Sequence, residues 1–297
     1  MSKPRKHHYV SKVLIDKFKN ANGVLYFYDK VKDIQGRKHS SKAIFFEKDL
    51  NTTISENGEI DYNSVENNLN QNFETDFNTH YGKLLESINE ESVSVPKGSI
   101  HFLIGMGIIG EARTPRFQNK AREVIFGTLE QIASRATDKL KAEIEASISQ
   151  PYNISLDFKE VCEVTMSLMG EIVYSLFRAP TNEYYFLPDC TSLTIRSQLE
   201  EDIVIDENTY INPSRPISTV ILPLNSKLLL VAQASKLCPH SDNRIYSLTS
   251  DLVYDYNKSL LEHAQQRIVC ENEYYLKAFV RKYLMEINSK SANLEDE

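Results

Sequence analysis

Two adjacent histidines, His7 and His8, stand among basic and aromatic residues near the amino terminus, in Lys6-His7-His8-Tyr9-Val10-Ser11-Lys12. An imidazole changes charge near neutral pH and offers a ring nitrogen to a proton or a metal, so either ring is a candidate base or ligand. Neighbouring side chains diverge by about 100° on a helix and alternate across a strand, so at most one ring faces a given site. The competing reading is that one ring packs or caps a turn while the other is solvated. Carboxylates that would complete an oxygen-and-nitrogen site for a divalent cation are Glu66 and Glu74, which a regular helix sets about 80° apart. As solvent-facing acids of an amphipathic helix they would have no such role. Arg113-Thr114-Pro115-Arg116 follows an apolar run and Glu111, so Arg113 is expected to be partly buried and therefore paired, with Glu66, with Glu74 or with an anionic ligand. A helix starting at Pro115 would also present backbone donors to a phosphate. Asp189, after an aromatic-rich run, either closes an Asx turn or stands as a metal ligand at a strand end. Glu171 is a further acid that is expected to pair with an arginine.

These residues need elements to hold them. Gly23 to Lys30 has the aromatic and β-branched composition of a strand, and Ala43-Ile44-Phe45-Phe46 reads as its hairpin partner across a polar turn at Gly36. Val65, Leu69, Phe73, Phe77, Tyr81, Leu84 and Ile88 recur at helical spacing and predict one long helix capped by Ser64. A second helical region spans about 99–149, with a kink or break at Arg113 imposed by Pro115. A third covers 157–177 and stops before Ala179-Pro180. Short runs at 184–187, 193–195, 203–205, 219–222 and 228–231 predict a small sheet. Helical periodicity returns over 247–270 and 273–287. The fold class expected is therefore α+β, predominantly helical, with an N-terminal β-hairpin and a small antiparallel sheet in the C-terminal half. Residues 1–287 form a single domain, divisible into 1–95 and 96–287, and 288–297 form a disordered tail.

With 297 residues the chain can bury a large core. Its 34 basic and 41 acidic residues give a formal net charge of -7, which argues against coating nucleic acid through bulk electrostatics. A phosphate-bearing partner must be met by a local patch. Cys162, Cys190, Cys238 and Cys270 form no C-x-x-C pair, which excludes a zinc ribbon or dithiol motif and suggests a reducing, cytoplasmic setting. No secretory h-region or membrane-length apolar run is visible. Phosphate-loop, dinucleotide, nucleophile-elbow and zincin motifs are missing from the sequence.

Several short stretches, in order, resemble one family. They are Lys6-His7-His8-Tyr9-Val10 with Leu14 and Phe18, Leu25-Tyr26-Phe27-Tyr28-Asp29-Lys30, Glu66 with Glu74, and Arg113-Thr114-Pro115-Arg116. Phe186-Leu187-Pro188-Asp189, Leu222-Pro223-Leu224 and Asn257 with Ala264 follow. The chain is similar to the bacterial and fungal proteins grouped as domain of unknown function 4238. It departs from them at Ser11, where members carry proline, and at Asp189-Cys190-Thr191, where they carry an Asp-Asn-Pro turn. The resemblance implies a shared fold and a shared polar constellation, and it names no reaction.

The expectation from these residues is a metal-assisted hydrolase of phosphodiesters or nucleotides, nuclease-like, of the kind used as a bacterial defence or toxin effector. His7 or His8 would act as base or ligand. Glu66, Glu74 and Asp189 would join His8 around magnesium or manganese, and Arg113, Arg116 and Lys12 would hold phosphate charge. Nucleic acid or a nucleotide, or a partner protein, would be bound, and no membrane. The alternative is a non-catalytic binding or regulatory protein whose His, Arg and acidic motifs form an internal network.

Overall fold

A computed structural model of the chain describes residues 6–55, 57–88, 95–149, 156–196, 216–237 and 244–295. The amino-terminal part is built from short strands. β1 (Lys6–His8) leads into the turn α1 (Lys12–Ile15), whose Leu14 and Ile15 are fully buried with Phe18. β2 (Leu25–Asp29) and β3 (Ile34–Lys38) form an antiparallel hairpin with Phe27 opposite Gly36. β4 (Phe46–Lys48) pairs instead with β1, placing His8 opposite Phe46. β5 (Thr53–Ile54) and β6 (Ile60–Asp61) make a small ladder.

The hairpin thus exists with a different second strand from the one expected. Ile34 to Lys38 is an edge strand with little to bury, so it lacks the apolar alternation that marks a half-buried strand. Gly36 lies within it, beneath the Phe27 ring, where a Cβ would sit 2.7 Å from ring carbon. Ala43 belongs to a 3-10 turn (Ser41–Ala43), and the buried Phe45 takes a left-handed φ of 56° as the chain enters β4.

The long helix is also divided. α2 (Ser64–Leu69) widens into a π-turn (Asn70–Glu74) before α3 (Phe77–Ser87). Ser64 is its first residue and caps nothing. Asp61 Oδ1 covers that end by accepting from the amides of Asn63 and Ser64. The expected break at Arg113 is present between α4 (Lys97–Ala112) and α5 (Pro115–Ala133), with Pro115 in the first turn and Thr114 Oγ1 accepting from the Phe117 amide at 3.3 Å. α6 (Asp138–Ser149) and α7 (Phe158–Met169) follow.

α7 does not run on to Phe177. Gly170 adopts φ 73° and stops it, and Ile172, Tyr174 and Leu176 belong to a strand, β7 (Ile172–Arg178). After β8 (Leu187–Pro188) come β9 (Leu193–Arg196), β10 (Ile217–Asn225), β11 (Leu228–Ala234) and β12 (Arg244–Ser247). The second sheet has the order β12-β7-β11-β10-β9 and is antiparallel except for the β12–β7 pair. Residues 203–205 and Cys238 lie outside the described residues. α8 (Ser250–His263) is shorter than expected because 267–270 form β13 (Arg267–Cys270), which joins a sheet of order β3-β2-β13-β8. α9 (Glu273–Glu295) continues through the stretch expected to be a disordered tail. The architecture is mixed α+β, and no helix among the described residues is long and apolar enough to cross a membrane.

α4 is the central element. Every residue from Leu103 to Ala112 is buried, as befits a helix apolar nearly all round. It packs on β9 and β10 closely enough that a Cβ on Gly107 would lie 2.6 Å from Val220 Cγ1. A Cβ on Gly110 would lie 2.3 Å from Thr191 Cβ. Gly110→Ala therefore overpacks the helix against the Thr191 turn and is expected to cost about 1–3 kcal/mol in urea unfolding, whereas Gly127→Ala on open α5 surface costs nothing. Equal midpoints for the two variants would contradict this packing.

Candidate functional site

Five of the residues expected to act together do converge. The Arg113 side chain is buried, and its Nη2 donates to the His8 backbone carbonyl at 2.7 Å and to Glu74 Oε1 at 3.1 Å. The π-turn is what delivers Glu74, so the pairing expected for Arg113 is met by one of its two candidates. Its Nε has no hydrogen-bond partner among the described residues. His7 is buried, and its Nδ1 accepts from the Asn51 amide at 2.7 Å, which puts the proton of a neutral ring on Nε2. Asn51 then links the rest: its Nδ2 donates to Glu66 Oε1 at 2.7 Å and its Oδ1 accepts from Gln118 Nε2 at 3.1 Å. Gln118 Nε2 also reaches the Arg113 carbonyl at 3.2 Å.

His8 sits beside this group with its ring 5.9 Å from that of Phe46. Burial first, and then the charges of Lys12 and Arg113, push its pKa down to about 4, against the opposing pull of Glu74 and of a hydrogen bond to the Lys42 backbone. Lys12 thus acts on His8 through its charge. The network ties β1, the Asn51 turn, α2 with its π-turn, and both helices at the α4–α5 break into one unit. It is a brace of buried and half-buried groups hydrogen-bonded to one another, in which His7 Nε2 and Arg113 Nε have no partner among the described residues.

Asp189 is not part of it. Its Oδ1 accepts from the Gln265 amide at 2.7 Å, and its Oδ2 accepts from Gln266 at 2.7 Å and Arg267 at 2.9 Å. Burial raises its pKa, and the three N–H donors oppose that rise. The strand-end aspartate therefore clamps the turn between α8 and β13. Asp29 binds the same segment, accepting from Arg267 Nε and Gln266 Nε2, both at 2.8 Å. Burial works to raise the Asp29 pKa, but the hydrogen bonds from Lys32, Arg267 and Gln266 hold it below the usual carboxylate range. The set His8, Glu66, Glu74 and Asp189 is consequently not gathered. Among the described residues no three His, Cys, Asp or Glu side chains come close enough to hold a metal ion. Glu171 is exposed and meets Ser235, not an arginine.

On the opposite side of the α4–α5 break lies a cleft of about 570 Å³. Thr114, Arg116 and Phe117 enter it from the start of α5, Cys190 from the turn after β8, and Glu262 and His263 from the end of α8. Glu111 closes its floor: Oε2 accepts from Thr194 Oγ1 at 2.7 Å and from Arg196 Nη2 at 2.8 Å, while buried Oε1 has no partner among the described residues. Burial lowers the His263 pKa. The attraction of Glu111 opposes this, and the positive charges of Lys30, Arg116 and Arg196 add to it. The ring is therefore neutral at pH 7, with Lys30 nearby donating to the carbonyls of Leu261 and Glu262 at the end of α8. Cys190 is no nucleophile in this setting, since burial pushes its pKa well above the ordinary value and its thiol donates to the Ser192 carbonyl. Thr191, next to it, holds a left-handed φ of 68°, a strained conformation for a β-branched residue.

A family model described as protein of unknown function (DUF4238) matches residues 6–273, from β1 to the first residue of α9. The chain belongs to this family. No curated protein and no solved structure matches it. In this DUF4238 chain several of the stretches that carry the resemblance lie around one joint. Lys6 to Val10 and Glu66 with Glu74 lie on the brace side, Phe186 to Asp189 and Asn257 with Ala264 lead into the cleft, and Arg113 to Arg116 serves both. The Asp189-Cys190-Thr191 departure is the strained turn at the rim of the cleft. Sequence reasoning missed Asn51, Gln118 and His263. Glu111 alone carried a usable signal, as the single charge inside an otherwise apolar run.

The His8 environment gives a pH dependence. In the unfolded chain this histidine takes up a proton near pH 6.5, and in the folded chain near pH 4. Its neutral ring therefore stabilises the fold fully above pH 6.5, and that contribution is lost as pH falls from 6.5 to 4. The expected loss is roughly 2 kcal/mol, allowing for partial solvent screening. Urea unfolding of His8→Gln is expected to show a correspondingly flatter pH profile across this window, and an identical profile would contradict the burial of a neutral ring.

Proposed function

We propose that the chain binds a phosphate-bearing ligand in the Arg116–His263 cleft and that the His7, His8 and Arg113 network is the scaffold for that site. The carrying observation is that an exposed arginine, a neutral histidine and the amino-terminal end of the 19-residue α5 face one cleft of small-ligand size. The positive end of a helix dipole and a guanidinium both favour an anion there. Nucleotides belong to this ligand class, and Lys30 adds positive charge behind His263.

Hydrolysis of a phosphodiester is a second reading, favoured by the neutral His263 in the same cleft. A neutral imidazole is a general base for water, and it replaces His7 and His8 in that role because their rings are enclosed by the brace.

Arg116→Ala is expected to weaken binding of inorganic phosphate about tenfold or more in titration calorimetry, with the melting temperature unchanged because the side chain is exposed. Unchanged affinity would overturn the binding proposal. For the catalytic reading, turnover of bis(p-nitrophenyl) phosphate is expected to fall at least a hundredfold in His263→Ala while phosphate affinity is retained. Equal turnover in the two proteins would remove hydrolysis and leave binding.

A further inference from the structure

Glu111 and Phe117 each line two cavities. Across them from the charged cleft lies a second cavity of about 520 Å³. Ile108 and Ala112 of α4, Ala121 of α5, Val161 and Leu168 of α7 and Ile217 of β10 supply aliphatic walls, and Glu111, Asp157, Glu160, Thr165 and Arg196 line it as well. Of its polar groups, Glu111 Oε2 meets Thr194 and Arg196 and Asp157 accepts from the amides of Lys159 and Glu160 at the start of α7, while Glu111 Oε1 has no partner among the described residues. Val164 and Leu168 at the rim are 51% and 59% exposed, large aliphatic side chains left open to solvent beside an apolar cavity.

We propose that the ligand of the cleft is an amphiphile, a phosphate ester whose aliphatic chain lies along this second cavity past Phe117. The inference rests on the phosphate reading above and names its substrate class. Three observations carry it. The two cavities adjoin, with Glu111 and Phe117 as common walls. Arg116 and His263 stand on one side, and the greater number of aliphatic side chains, with the exposed Val164 and Leu168, stand on the other. A nucleobase would call for stacking surfaces, and here Phe117 is the single aromatic wall. An alkyl chain needs only the apolar surface that is present.

The test is titration calorimetry of the full chain with inorganic phosphate, butyl phosphate, octyl phosphate and adenosine monophosphate, the alkyl phosphates kept monomeric in solution. Affinity is expected to rise by about threefold per buried methylene, so that octyl phosphate binds at least tenfold tighter than butyl phosphate and tighter than the nucleotide. Leu168→Asp with Val164→Asp, both exposed at the rim, is expected to abolish the dependence on chain length and leave inorganic phosphate affinity unchanged. Arg116→Ala is expected to weaken every phosphate ligand. Phosphate binding that depends on Arg116 but not on chain length, or that favours the nucleotide, overturns the amphiphile and leaves the cleft. A chain-length gain that survives the rim variant overturns its placement in this cavity. Phosphate binding insensitive to Arg116 overturns both readings together.

Discussion

A buried guanidinium holds this molecule in register. Arg113 is the first residue after the apolar helix α4, and its charge has no route to solvent. It is neutralised by Glu74 and shared with the His8 carbonyl. Removing one partner of such a pair leaves the other charge stranded in a poor dielectric, typically at about 3–5 kcal/mol. Three segments distant in the chain thus depend on one side chain: the amino-terminal strand, the π-turn of the first helix pair, and the break before Pro115. A regular helix through Asn70–Glu74 would have carried Glu74 round at a different angle. The local widening is therefore part of the same constraint, and π-turns of this kind often mark functional regions.

The break itself has two faces. Arg113 looks into the brace, while Glu111, Thr114, Arg116 and Phe117 look toward the cleft and the apolar cavity. Because α4 is buried all round over Leu103–Ala112 and touches the sheet through Gly107 and the Thr191 turn through Gly110, the joint has little freedom to shift. The Thr191 turn, pressed against Gly110 and bent into a left-handed conformation, carries that rigidity to the rim of the cleft. The Asp189 and Asp29 clamp on residues 265–267 does the same for the end of α8, and so for His263. In this account His7, His8, Arg113 and Glu74 position the site, while Arg116, also singled out in the sequence, faces the cleft from the first turn of α5.

What was legible in the sequence follows from this division. His7, His8, Arg113 and Glu74 were conspicuous by type, but their convergence needed, besides the break that Pro115 announced, a π-turn at Asn70–Glu74 in a stretch whose periodicity reads as regular helix. Asn51 and Gln118 were not, because neutral amides in polar stretches look like surface until their neighbours are known. The cleft was hidden for another reason: residues 111, 116, 190 and 263 are brought together by long-range packing that no local pattern encodes. Among the elements, Ile172 to Phe177 suited either a helix or a strand, and the decision was made by Gly170 just before it. Arg267 to Cys270 was read as helix because four residues are too few to show a period. Its strand character comes from pairing with β2. The polar edge strand β3 carried no burial signal at all.

Hydrogen–deuterium exchange on Arg113→Met tests the central claim most directly. If the guanidinium is the tie between these segments, amides of 6–10, of the Asn51 turn and of 70–77 lose protection together, while those of β10 and β11 keep theirs. Unchanged protection in β1 and the π-turn, or a uniform loss across the whole chain, would contradict the account.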